Sequence, residues 1–138
     1  IFLAMVIIPL AIFEYPVGKI SEKIGTKTFL GIGFGGLAIS SIILFLLNNI
    51  YIQLGVIIFA SFFAACIEPT QETFFFNRIK KKNEEKLYPI FTTSWYVGSF
   101  VGKIMVAGIL LVLANKYAYL TVGILMGILA IFSLRIKK

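Results

Sequence analysis

The stretch Gly18–Lys27, GKISEKIGTK, decides how the chain is read. It is the first polar interruption in the sequence, and long apolar runs flank it on both sides. Its order is glycine, three spacers, Glu22, Lys23, one spacer, Gly25, one spacer, Lys27. Glycines suit a tight turn, because they adopt backbone angles closed to other residues. Lysines hold such a turn in water. The stretch therefore reads as a short aqueous loop between two membrane-crossing segments.

Composition agrees. The 138 residues are 59% hydrophobic, 15% aromatic and 14% charged, with mean hydropathy +0.98. A soluble domain is typically about half apolar and one quarter charged. Fourteen Phe with so few charges predict an all-α membrane protein, not a soluble monomer. The single Cys66 lies in an apolar run and reads as a small buried residue. With no His and no Asp, a His/Cys zinc site, His-based acid–base catalysis and a Ser-His-Asp triad are excluded. Neither enzyme chemistry nor a cofactor or metal is expected. Ile1 stands inside an apolar run with no basic segment before it. That is expected of a fragment and not of a signal peptide.

A membrane-spanning helix needs about 20 apolar residues. Five runs qualify, at about 1–17, 28–47, 51–76, 88–114 and 117–134, and no soluble domain is expected. They are too long for barrel strands and lack their alternation. The connections alternate in charge. Gly18–Lys27 holds three lysines, Asn77–Leu87 holds Arg78, Lys80, Lys81, Lys82 and Lys86, and the tail holds Arg135, Lys137 and Lys138. These are eleven of the 13 basic residues. The other connections carry only Lys116. The positive-inside rule places the basic loops and the C-terminus in the cytoplasm. The net charge of +7 is thus an orientation signal, and no nucleic-acid partner is expected. Tyr51, Tyr117 and Tyr119 at one boundary, and Tyr15, Tyr88, Trp95 and Tyr96 at the other, read as an interfacial aromatic belt.

Charge inside the runs is uneven. Glu14 lies in the first, Glu68 and Glu72 in the third and Lys103 in the fourth, while the second and fifth have none. A charge at the centre of a span costs roughly 2.5–3.5 kcal/mol, so it faces protein or a water-filled cavity. Three runs are therefore expected to surround something polar, and two to face lipid. Glu14, Glu68 and Glu72 lie near the cytoplasmic face, where they either pair with the basic loops or contact a substrate or coupling ion. Lys103 lies about 22 Å beyond Tyr88 along a helix, too deep to snorkel easily. It is the best candidate for a cavity-facing group.

Small residues recur every four positions. Ser94, Gly98 and Gly102 do so on the fourth run, Gly31 and Gly35 on the second, and Gly123 and Gly127 on the fifth. Such stripes let helix backbones approach closely. On the fourth run the stripe lies roughly opposite Lys103, at about 100° per residue. Pro9 and Pro69 fall within runs and predict kinks.

With these elements in place, GKISEKIGTK resembles the cytoplasmic signature loop of the major facilitator superfamily. Gly18, Glu22, Lys23, Gly25 and Lys27 match the pattern, with Glu22 in place of the usual Asp and Lys23 in place of a frequent Arg. Softened versions are typical of the second copy of the loop, in the C-terminal half. One run before the loop and four after it resemble helices eight to twelve of a twelve-helix transporter. EPTQETFFFNR, Glu68–Arg78, is similar to the acid-then-Arg pattern of sugar porters, but its spacing differs and no sugar is inferred. The resemblance implies secondary-active transport of a small solute by alternating access in a bacterial inner membrane. The implied partners are a missing N-terminal half, the lipid bilayer, a small-molecule substrate, and protons or another coupling ion. It also implies a gating role for the loop, which latches and releases the two halves. A non-transporting membrane interaction or assembly protein is the alternative.

Overall fold

The computed structural model describes residues 25–135 and, before them, Ile8, Ile12, Pro16, Val17, Lys19 and Ile20, all six helical. Most of the first run, with Pro9, Glu14 and Tyr15, and the loop residues Gly18, Glu22 and Lys23 lie outside the described residues. Four helices follow: α1 (Thr26–Leu46), α2 (Ile50–Arg78), α3 (Glu84–Val112) and α4 (Asn115–Arg135). Each is long and apolar enough to cross a membrane, so four such helices, not five, are seen among the described residues.

The helix ends follow from local chemistry. Gly25 caps α1 with φ 103°, a conformation in which side chains are strained. Asn49 caps α2, its side-chain oxygen accepting from the Tyr51 N–H at 2.9 Å. Gln53 reaches back to donate to the Leu47 carbonyl at 2.8 Å, satisfying an end group of α1. Arg78 closes α2, and Glu84 and Glu85 open α3 after a single 3₁₀ turn, Lys81–Asn83. Both placements favour the helix dipole. The polar residues before Tyr88 are thus already helical: Glu and Lys are good helix formers, and a helix does not stop where apolarity does. With 29 residues each, α2 and α3 are roughly 43 Å long, so their ends pass beyond the hydrocarbon.

Helix α1 is packed between α2 and α4. Glycines make this possible. A Cβ at Gly33 would lie 2.8 Å from Ile67, and one at Gly36 would enter the Phe63 ring, both on α2. A Cβ at Gly31 would lie 2.8 Å from Leu134, and one at Gly123 would lie 3.2 Å from Ile42, joining α1 to α4. Phe45 and Tyr117 close the far end of that contact, with ring centroids 6.0 Å apart. Gly35, expected in the same stripe as Gly31, has no atom of the described residues within 4 Å of its Cβ position. Two neighbours on different sides select 31, 33 and 36, not one row of every fourth residue.

The expectation that both charge-free runs face lipid is corrected for α1. Among the described helices it holds the largest share of buried residues, because small side chains, not charges, set how closely helices approach. Helix α3 is the opposite case: none of its residues is buried.

Candidate functional site

Residues Glu68, Gln71, Glu72 and Phe75 on α2 are spaced i, i+3, i+4 and i+7, which puts them on one helix face. Tyr88, Phe91, Thr92, Trp95 and Tyr96 on α3 have the same spacing, extended to i+8. The two faces meet. Phe75 and Phe91 stack at 4.4 Å between centroids with planes tilted by 31°. Phe76 and Tyr88 stack at 5.9 Å. Beside these ring contacts lies a cavity of about 190 Å³, walled by Glu68, Gln71 and Glu72 from α2 and by Tyr88, Thr92 and Tyr96, with the Phe91 and Trp95 rings, from α3.

The local backbone is tailored to this place. Pro69 follows Glu68 and Pro89 follows Tyr88, and neither has an N–H to give the preceding turn. Both helices nevertheless run through their prolines unbroken. Nearby hydroxyls bond back four residues: Thr70 to the Cys66 carbonyl at 2.5 Å, Thr73 to that of Pro69 at 2.8 Å, and Thr93 to that of Pro89 at 2.7 Å. Thr92 donates to the Tyr88 carbonyl at 3.0 Å, which leaves its oxygen as an acceptor at the cavity wall.

A second, more apolar cavity of about 490 Å³ adjoins the first and touches all four helices. Phe34 of α1 and Leu129 of α4 face it, and it shares Gln71, Phe91 and Trp95 with the acidic cavity. Ser94 and Gly98 border this space. Among the described residues no atom lies within 4 Å of the Cβ position of Gly98 or Gly102. The stripe expected to pack therefore makes no close helix contact among the described residues; Ser94 and Gly98 form a cavity wall.

The other expected site residues separate. Lys103 is exposed on α3 and borders neither cavity. From the signature loop, Gly25 and Lys27 are described. They share an open concavity with Asn77 and Arg78 at the end of α2, where the Arg78 guanidinium lies 5.0 Å over the Phe74 ring. The start of α1 and the end of α2 thus meet at the same face of the bundle. Gln71 and Thr92 were not singled out from the sequence, and Tyr88, Trp95 and Tyr96 were read as membrane anchors. Their shared helical spacing was the available signal. Among the described residues no group of three metal-ligating side chains occurs.

A family model of the Major Facilitator Superfamily matches residues 1–138. No curated protein and no solved structure gives a significant match.

Proposed function

The chain belongs to the major facilitator superfamily, a family of membrane transporters, and from that premise we propose that it forms the C-terminal part of a secondary-active permease. In this reading it supplies helices eight to twelve and moves a small solute by alternating access against an N-terminal half, coupled to protons or another ion. The observation that carries the proposal is the contrast between helices. Three pack on one another through α1, while α3 has no buried residue along its 29 positions. A helix with a polar group such as Lys103 on an uncovered surface is suited to line the interface between two halves. The first run provides the remaining, fifth helix of the proposal.

The basic loops support a cytoplasmic C-terminus, and the membrane of this reading is a bacterial inner one. The loop residues Gly18, Glu22, Lys23, Gly25 and Lys27 then serve as the gate, and Glu22 acts on conformational balance and not on solute binding. Gly25 in its positive-φ cap and Lys27 beside the end of α2 are consistent with a rigid turn at that face.

Reciprocal cysteine accessibility tests the mechanism. In the complete transporter, positions lining the two faces should change reactivity in opposite directions when a solute gradient is applied, and uptake should collapse with the ion gradient. Gradient-driven uptake by residues 1–138 alone in liposomes would overturn the reading as one half of a permease.

A further inference from the structure

We propose that the connection between α2 and α3 is a binding site for an anionic phospholipid, with the phosphate held by Lys80, Lys81 and Lys82 and one acyl chain lying in the groove beneath them, against Phe74, Phe75 and Ile79. The binding requires that the chain sits in a bilayer and does not rest on the transport reading.

The groove is the first observation. It has a volume of about 300 Å³ at the Arg78 end of α2, walled by Gln71, Phe74, Phe75, Arg78 and Ile79, with Phe91 from α3. Three phenylalanine rings and an isoleucine make most of this wall, and the Arg78 guanidinium lies over one of the rings. Such a surface suits a hydrocarbon chain and offers little to a hydrated ion.

The charge above the groove is a separate observation. Ile79 and Lys80 have extended backbone, so their side chains take opposite sides. Ile79 lines the groove and Lys80 is exposed. A 3₁₀ turn follows, in which the Asn83 N–H donates to the Lys80 carbonyl at 2.8 Å. It holds Lys80, Lys81 and Lys82 within one turn of chain. These three and Lys86 are exposed, and among the described residues none of the four forms an ion pair. The neighbouring Glu84 and Glu85 open α3, where the helix dipole favours them. Four lysines against two carboxylates leave the connection positive. A cluster of about four or more basic residues at the end of a span attracts anionic lipid.

Depth brings the two observations together. Helices α2 and α3 have 29 residues each and are roughly 43 Å long, while a bilayer with its headgroups is about 40–45 Å thick. Helices of that length end among the headgroups. The lysine turn is then level with the phosphates, and the groove lies level with the first carbons of the chains. Orientation of the protein needs charge alone, without an apolar groove below it. A soluble acidic partner would meet the lysines and leave the groove unused. Charge and groove together favour an anion that carries a chain.

Trp95 is the only tryptophan in the chain, and it shares a cavity with Gln71 and Phe91, two walls of the groove. Bromine on an acyl chain lying there quenches its fluorescence. The experiment places the purified protein in phosphatidylcholine nanodiscs and replaces a rising fraction of the lipid with brominated phosphatidylglycerol or brominated phosphatidylcholine. The anionic lipid should quench at about one tenth of the fraction that the zwitterionic lipid requires, and added salt should narrow the gap. Lys80→Gln, Lys81→Gln and Lys82→Gln combined should abolish the preference, and the same three positions changed to Arg should keep it. Ile79→Asn should weaken quenching by the anionic lipid. Lys116→Gln, at the opposite end of the bundle, should change nothing. Helix content by circular dichroism shows that each variant is folded. Equal quenching by the two lipids, or a preference that survives the triple glutamine variant, overturns the proposal. Displacement of the lipid by soluble glycerophosphoglycerol or by polyglutamate also overturns it, because the lysines would then serve a free phosphate or an acidic protein.

Discussion

The Phe91 ring lies 4.4 Å from that of Phe75, centroid to centroid, and this contact joins α3, which has no buried residue, to α2. It sits one turn from Glu72 on α2 and one turn from Trp95 on α3. Closing the α2–α3 cavity thus depends on a ring pair and not on an extended seam. Offset aromatic pairs contribute about 0.5–1.5 kcal/mol beyond the area they cover. Phe91→Leu should therefore lower the midpoint of SDS-induced unfolding by that order. Trp95 emission should also shift to the red as water enters. A variant with unchanged midpoint and emission would show that α3 is held elsewhere.

Gly35 and Gly36 are neighbours in sequence with opposite surroundings. A Cβ at Gly36 meets the Phe63 ring, whereas one at Gly35 meets nothing within 4 Å among the described residues. Gly36→Ala should cost about 1–3 kcal/mol through overpacking of α1 against α2. Gly35→Ala should be neutral or stabilising by up to about 1 kcal/mol, since alanine is the better helix former. Unfolding of the two variants followed by helix content checks this, and equal behaviour would deny the close approach at Gly36.

The pairing of Gly31 with Gly35 is the more obvious pattern in the sequence, whereas among the described residues the close approaches of α1 fall at Gly31, Gly33 and Gly36. Run length and the signature loop made the helical membrane class and the family legible. Which helix is covered was not, because lipid and protein interior are equally apolar. Helices α1 and α4, whose charges sit only at their ends, have similar compositions whether they face one or the other. The acidic–aromatic face pair was written plainly at helical spacing, in Glu68, Gln71, Glu72 and in Tyr88, Thr92, Trp95. Aromatic residues near a membrane boundary also serve as anchors. Only the meeting of α2 with α3 decides that these face a cavity.

Orientation has its own check. With Cys66 replaced by Ser, a cysteine at Asn49 should react with an impermeant external reagent in intact cells, and one at Lys82 should react only after permeabilisation. Both positions are exposed in the structure, so protection at either reflects the membrane and not packing. The reverse pattern would invert the proposed topology.

Lys103 is the charge that the chain leaves unexplained. It is exposed on a helix without a buried residue, and among the described residues it has no carboxylate partner. It lies about 14 Å from the Val112 end of α3 and about 28 Å from Glu84, within the hydrocarbon at either count. An ammonium held there without a partner or water costs a few kcal/mol, so the proposed second half or a central aqueous cavity must face it. Lys103→Met fills the same space with an apolar chain and should leave insertion and helix content intact while abolishing or retuning transport by the complete protein. A cysteine at 103 should react quickly with a small water-soluble thiol reagent, and solute should block that reaction. An unreactive cysteine together with normal transport by Lys103→Met would make the residue structural and remove it from the solute path.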